Sequence, residues 1–272
     1  MPHIIADRLY ELSGRGPMAL YTDIDGTLAP IAPTPDSATL APGAADALRA
    51  IHQCGIRVVG ISGRAAHDAR ALVGLDELSY AGNHGFELLT PDGPVIAADV
   101  AHSVTAVASA MAEINADIEQ LPAGVLVENK TYTGSVHYRL TDDHPQAIAI
   151  LRPLLTDIAS AHGLILTEGR MVFEIRPALQ INKGVFLRND VANNNIRYAA
   201  FLGDDVTDVD GFRAIHDLVA AHELADGAAI AVLASESPRA VIEESDLRIQ
   251  GVDRLIDELT AFAEALQKGT AL

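Results

Sequence analysis

The hydrophobic positions of this 272-residue chain fall into two textures. Met18 to Tyr21 (MALY) is an unbroken apolar run that stops at Asp23-Ile24-Asp25-Gly26-Thr27, the pattern of a buried strand whose end carries two acids and a turn glycine. A proline-rich loop follows (Pro30, Pro33, Pro35). Ala41 to Gln53 then has helical spacing, with Gly55 just past its end. Ile56 to Ile61 predicts a second buried strand ending at Ser62-Gly63-Arg64, Ala65 to Val73 a helix, and Leu78 to Ala81 a third strand. Strands that are apolar throughout and separated by helices imply a parallel sheet covered on both faces.

From about His102 the texture changes. Val104 to Leu121 predicts an amphipathic helix, and Val125 to Leu140 alternates with period two around Thr133-Gly134, as an antiparallel hairpin with one solvated face would. Pro145 to His162 predicts another helix, and Leu164 to Arg176 a second hairpin broken near Gly169. Tyr198 to Leu202 resumes the first texture and ends in Gly203-Asp204-Asp205. Ala228 to Leu233 is the next expected strand and Val252 to Gln267 a closing helix. The expected architecture is α/β: a parallel-sheet core from residues 1–101 and 180–272, interrupted by an α+β domain at 102–179.

Composition narrows the partners. With 19 Lys+Arg against 37 Asp+Glu the formal net charge is −18, so the basic footprint needed for nucleic acid or an anionic membrane is missing. The single Cys54 excludes an internal disulfide and a cysteine-cluster zinc site, and a small, partly buried apolar role is expected for it. No apolar run of about 18 residues and no signal-peptide pattern occurs, which makes a soluble, cytoplasmic monomer the expectation. Only three cations are lysines, Lys130, Lys183 and Lys268.

Candidate chemistry collects at the strand ends. In open parallel sheets ligands bind beyond the carboxyl ends of the strands. That edge should gather Asp23 and Asp25, Ser62, and the group Asp204, Asp205 and Asp208. So many carboxylates in one crevice require a cation. Hard oxygen donors without histidine favour Mg²⁺ over zinc or copper. Asp23 and Asp25, two apart on an extended segment, should point the same way, one as nucleophile toward phosphorus and the other as acid/base. Ser62 and the amides near Gly63 can hold phosphate oxygens, with Ser62 also placed as a helix N-cap. Lys183 in Asn182-Lys183-Gly184 offers a point charge to the same group.

Asp23-Ile24-Asp25-Gly26-Thr27-Leu28, Ile61-Ser62-Gly63-Arg64, Lys183 and Gly203-Asp204-Asp205-Val206-Thr207-Asp208 resemble the four ordered motifs of the haloacid dehalogenase superfamily. Further segments resemble its trehalose-6-phosphate phosphatase family: Gly82-Asn83-His84-Gly85, Glu128-Asn129-Lys130, His137-Tyr138-Arg139, Glu174-Ile175-Arg176-Pro177 and Asp208-Val209-Asp210-Gly211-Phe212. The resemblance runs from about residue 18 to 262. It implies a Rossmann-like core with an inserted cap, and Mg²⁺-dependent hydrolysis of trehalose 6-phosphate through an aspartyl-phosphate, the last step of trehalose biosynthesis. Asp23 would then be nucleophile and metal ligand, and Asp25 the general acid/base with its carbonyl on the metal. Asp204 would be a further ligand supported by Asp205 and Asp208, and Ser62, Gly63 and Lys183 would hold the phosphoryl group. Glu128, Lys130, Arg139 and Glu174 would hold the distal sugar. Two of the three lysines thus fall at expected site positions. Another sugar phosphate or a glycosyl-phosphoglycerate is the alternative substrate, and a catalytically silent sugar-phosphate sensor the alternative outside enzymes.

Overall fold

The computed structural model describes residues 3–96, 98–116 and 118–269. They form two compact units, one from the chain up to Pro94 together with Ile181 onward, the other from Val95–Gln180. The sequence pattern sets these boundaries at 102 and 179. At the first boundary the difference lies in two four-residue elements, a strand at Gly93–Ile96 and a helix at Ala98–Ala101, which are too short to carry a readable period.

In the larger unit, α1 (Ile4–Ser13) was not expected, yet it buries Ile5, Ala6, Leu9 and Leu12 at helical spacing. There follow β1 (Met18–Thr22), α2 (Ala44–Gln53), β2 (Arg57–Ile61), α3 (Ala66–Val73), β3 (Ser79–Gly82), β4 (Glu87–Thr90) and β5 (Gly93–Ile96). Cys54 corrects an expectation. It is exposed, because it ends α2 one step beyond the apolar face of Ala44, Ala47, Leu48 and Ile51.

The smaller unit comprises α4 (Ala98–Ala101), α5 (Val104–Ala116), β6 (Leu126–Asn129), β7 (Gly134–His137), α6 (His144–Ala161), β8 (Leu164–Gly169) and β9 (Val172–Pro177). The helix expected to reach Leu121 stops at Ala116; Asp117 lies outside the described residues, and Ile118–Gln120 is a separate 3₁₀ turn. The four strands form an antiparallel sheet in the order β6-β7-β9-β8. Val107, Met111 and Ile114 of α5 and Leu151, Leu155 and Ile158 of α6 pack on its Val136, Phe173 and Ile175. Gly134 is not a turn residue. It pairs with Asn129 inside the ladder, and a Cβ there would lie 2.0 Å from Met111 Sδ, so close approach of α5 explains the glycine. The turn is Lys130–Thr133, with Thr131 left-handed at φ 71°. The expected alternation fails on β7 because that strand is central and buried on both faces.

The chain then completes the larger unit with α7 (Lys183–Asn193), β10 (Tyr198–Gly203), α8 (Val209–Ala220), β11 (Asp226–Leu233), α9 (Arg239–Glu243), β12 (Leu247–Gln250) and α10 (Val252–Lys268). Its sheet runs β12-β11-β10-β1-β2-β3-β4-β5. The strands from β12 to β3 are parallel, and β4 turns back antiparallel on β3. Leu20 and Ile230 face α1, α2 and α10, whereas Tyr21 and Phe201 face α7 and α8. Both faces are covered, which is why the strands read as continuous apolar runs. Among the described residues no helix is long and apolar enough to cross a membrane.

Candidate active site

β1 lies between β10 and β2, so chain segments leaving three adjacent strands meet at one edge. The Asp23 amide continues the ladder by donating to the Leu202 carbonyl (2.8 Å). Immediately afterwards the chain turns. Gly26 adopts φ +98°, and a Cβ there would lie 2.1 Å from Asp204 Oδ2, so both conformation and contact demand glycine. The Thr27 hydroxyl donates to Asp204 Oδ1 (3.3 Å). The Asp-Gly-Thr segment is thereby fitted around a carboxylate that lies 177 residues away in sequence.

Asp23, Asp204 and Asp208 are all buried, with one carboxylate oxygen of each within 4.8 Å of the others. Lys183, 2% exposed, stands among them, its Nζ 2.6 Å from Asp23 Oδ1 and 2.6 Å from Asp208 Oδ1. Asp208 Oδ2 accepts the amides of Asp204 and of half-buried Asp205 (3.0 Å each). With both oxygens engaged, Asp208 orients its neighbours, and Asp23 and Asp204 are the acids left to meet a ligand. One ammonium among three carboxylates leaves negative charge uncompensated. Burial, and then the Asp208 and Asp204 charges, push the Asp23 carboxyl well above its ordinary range against the pull of Lys183. Burial and Asp208 raise Asp204 to about 7. Burial alone would lower the Lys183 ammonium, but Asp208 and Asp23 hold it above its ordinary value.

A divalent cation fits this oxygen-only donor set, since it would supply the missing charge. The sign of the resulting pH effect follows from Asp204. A carboxyl raised to about 7 keeps, between about pH 4 and 7, a proton that the unfolded chain has lost. Its contribution to stability therefore falls across that window as pH rises. Cation binding requires the ionised form and displaces the proton. The rise in melting temperature on adding a divalent cation is expected to be large at pH 8 and to shrink toward pH 6. Thermal scans with and without the cation check this, and a pH-independent rise would contradict it.

Asp25 departs from the expectation that it points with Asp23. Its carboxylate is held by Arg64, Nε to Oδ2 and Nη2 to Oδ1, both 2.7 Å, and Arg64 Nη1 also donates to the Pro35 carbonyl (3.1 Å). The reason is the Gly26 turn: Asp25 already bridges to Ala29 and has left the strand. Ser62, buried at the end of β2, is not a helix cap. The cap of α3 is Ala65, and Ser62 Oγ accepts the Arg64 amide (3.1 Å), closing a tight turn through Gly63.

Lys183 is placed by its helix. Asn182 caps α7 by accepting the Val185 amide (2.8 Å). Two turns on, buried Asp190 accepts Tyr21 Oη (2.9 Å) and both Arg57 Nε (2.8 Å) and Nη2 (2.7 Å). Tyr21 precedes Asp23 by two on β1, so this knot ties the strand carrying Asp23 to the helix carrying Lys183. Neither Arg64 nor this knot has a role legible in the sequence, because nothing in the spacing relates residues 39 to 169 positions apart. The arginine inside Ser62-Gly63-Arg64 was the one available signal.

In the smaller unit, β6, β7 and β9 set Glu128, Ser135 and Glu174 directly opposite one another, hence on one face. Lys130, 8% exposed, lies between the two acids, 3.8 Å from Glu128 Oε2 and 3.9 Å from Glu174 Oε1. His137 Nε2 is 3.0 Å from the same Glu128 oxygen. Arg139 makes a different contact, donating to the Arg170 carbonyl (3.2 Å). Strand register thus brings Glu128 and Glu174 together, and the turn after β6 adds Lys130, so three of the four expected sugar residues meet.

The trehalose-phosphatase family model matches residues 21–247. A trehalose-phosphate phosphatase of Mycobacterium bovis is 35% identical over 246 residues, 84% of this chain and 60% of that protein. An uncharacterized glycosyl hydrolase of Mycobacterium tuberculosis is 41% identical over 215 residues, 75% of this chain but 16% of the other. The chain therefore spans only part of these relatives. The crystal structure of a trehalose-6-phosphate phosphatase related protein superposes with TM-score 0.77 at 20% identity, covering 92% of this chain and 99% of the other. A haloacid dehalogenase-like hydrolase from Bacteroides thetaiotaomicron gives TM-score 0.61 at 13% identity over 93% and 99%. The fold is that of the haloacid dehalogenase-like hydrolases, with a parallel-sheet core and an inserted α+β unit.

Proposed function

This chain belongs to the trehalose-phosphatase family, and from that premise we propose that it is a phosphoric monoester hydrolase converting trehalose 6-phosphate to trehalose and phosphate, the last step of trehalose biosynthesis. The observation that carries the reading is the buried Lys183 ammonium, 2.6 Å from both Asp23 and Asp208, which cluster with Asp204 at the carboxyl edge of the sheet. A carboxylate so placed is a nucleophile for phosphorus, and Lys183 receives the phosphoryl oxygens together with Ser62 and the amides around Gly63.

In this reading an Asp23 oxygen forms a bond to phosphorus as the bond to the sugar oxygen breaks. Asp25 gives that leaving oxygen a proton, which requires its carboxyl to turn from Arg64. Asp25 then takes a proton from water as the water oxygen attacks phosphorus, freeing phosphate and restoring Asp23. Mg²⁺, held by Asp23, Asp204 and the Asp25 carbonyl, with Asp205 and Asp208 in support, would neutralise charge between nucleophile and phosphoryl group. Glu128, Lys130, Glu174 and Arg139 hold sugar hydroxyls through charge-assisted hydrogen bonds.

Phosphate release from a panel of sugar phosphates tests the substrate. At least a roughly tenfold preference in kcat/KM, about 1.4 kcal/mol, is expected for trehalose 6-phosphate. A lower ratio, or a preference for a glycosyl-phosphoglycerate, would overturn that assignment, and binding without turnover would revive a sensor role. Glu128→Gln, Lys130→Met and Glu174→Gln are each expected to raise KM for the preferred substrate about tenfold or more. Turnover of p-nitrophenyl phosphate, which has no sugar, should stay within about twofold. Equal losses on both substrates would remove these residues from sugar binding.

A further inference from the structure

Gly82-Asn83-His84-Gly85 stands at the same sheet edge, one strand over from the turn Ser62-Gly63-Arg64. Its backbone is unusual. Asn83 (φ 50°) and His84 (φ 59°) are consecutive left-handed residues, neither a glycine. Such strain persists only where the surroundings impose it, and it clusters at functional sites.

The surroundings are specific. The Asn83 amide donates to the Arg64 carbonyl (2.7 Å) and the His84 amide to the Ser62 carbonyl (2.8 Å), so both carbonyls flanking Gly63 are held by this segment. The Asn83 side-chain amide donates to Glu87 Oε1 (2.7 Å), which also accepts the Ala66 amide (2.9 Å) at the start of α3. Gly85 abuts α7, where a Cβ would lie 2.8 Å from Phe186 Cβ.

Gly63 identifies what the arrangement is for. Its φ lies outside the left-handed region, so its conformation does not call for glycine. A Cβ there would instead fall 2.8 Å from both Cε1 and Nε2 of His84. The glycine makes room for the imidazole. We propose that His84 is a positioning residue of the phosphoryl site: its ring covers Gly63 and, with the two backbone bonds, locks the Ser62–Arg64 turn in the orientation that receives a phosphoryl dianion. This rests on the reading of that turn as phosphate-holding.

The test uses inhibition by inorganic phosphate with p-nitrophenyl phosphate as substrate, beside thermal melting. Asn tolerates the left-handed region, so His84→Asn removes the ring and keeps the backbone. It is expected to melt within about 2 °C of the parent, as a surface-scale change would, while weakening phosphate inhibition about tenfold. Gly63→Ala should be more damaging still, and His84→Ala should relieve that damage, because the added methyl then has space. Such non-additivity marks direct contact. Unchanged phosphate inhibition in His84→Asn, or additive losses in the double variant, would overturn the proposal. A parent that is inhibited by phosphate but ignores every sugar phosphate would overturn the substrate reading and leave this proposal standing.

Discussion

Asp23→Asn is expected to lower phosphate release from the preferred sugar phosphate by about 10⁴-fold or more, the scale on which removal of a nucleophile acts. The same variant should not unfold the protein. Asn keeps the shape of the side chain, and the charge it removes is one that burial and the neighbouring Asp208 and Asp204 already oppose. Without a divalent cation the variant should melt at or slightly above the parent temperature. With the cation its melting temperature should rise less than the parent's, since a ligand has been lost. Activity retained in Asp23→Asn would refute the aspartyl-phosphate route. A large fall in melting temperature would show that Asp23 is needed for the fold and would disqualify the activity result.

Lys183→Met should combine both kinds of loss. The ammonium is buried and shared by two carboxylates at 2.6 Å. Removing one partner from such a group typically costs about 3 kcal/mol or more, and loss of one preorganised donor to a developing charge costs about 10²–10³-fold in kcat. The stability loss should be greater at pH 8 than at pH 5.5, because at lower pH the abandoned carboxyls can take up protons. Lys183→Arg is not expected to rescue, since a planar fork does not fit a slot shaped for a compact, 2% exposed ammonium. Thermal melts and single-turnover rates at the two pH values check this, and full activity in Lys183→Arg would contradict the geometry.

The polar cluster at the sheet edge was largely legible in the sequence because it sits at the ends of buried strands. An apolar run that halts at polar residues announces itself, and Asp23, Ser62 and Asp204 all follow such runs. Lys130 and Lys183 were legible for another reason: in a chain that otherwise uses arginine, both prove buried beside carboxylates.

Other features depended on relations that no local pattern carries. The sequence could place Asp25 two residues beyond Asp23 but not foresee that the Gly26 turn delivers it to Arg64, 39 positions away. Nor could it say that Asp208, rather than Asp25, completes the buried acidic group. Gly134 reads as a turn until α5 is seen lying against it, and nothing in the sequence around Gly63 tells that the His84 ring occupies the place of its side chain. Cys54 reads as buried until the apolar face of α2 is seen to end before it. Hydrophobic periodicity by itself determined the parallel core, the inserted α+β segment and the strand ends that carry chemistry, because burial imposes its period on neighbouring residues. Only the tertiary structure decided which acids share a cation's charge, which is held by arginine, and which glycines yield space, because those outcomes depend on distances of a few ångströms between residues that sequence separation leaves unrelated.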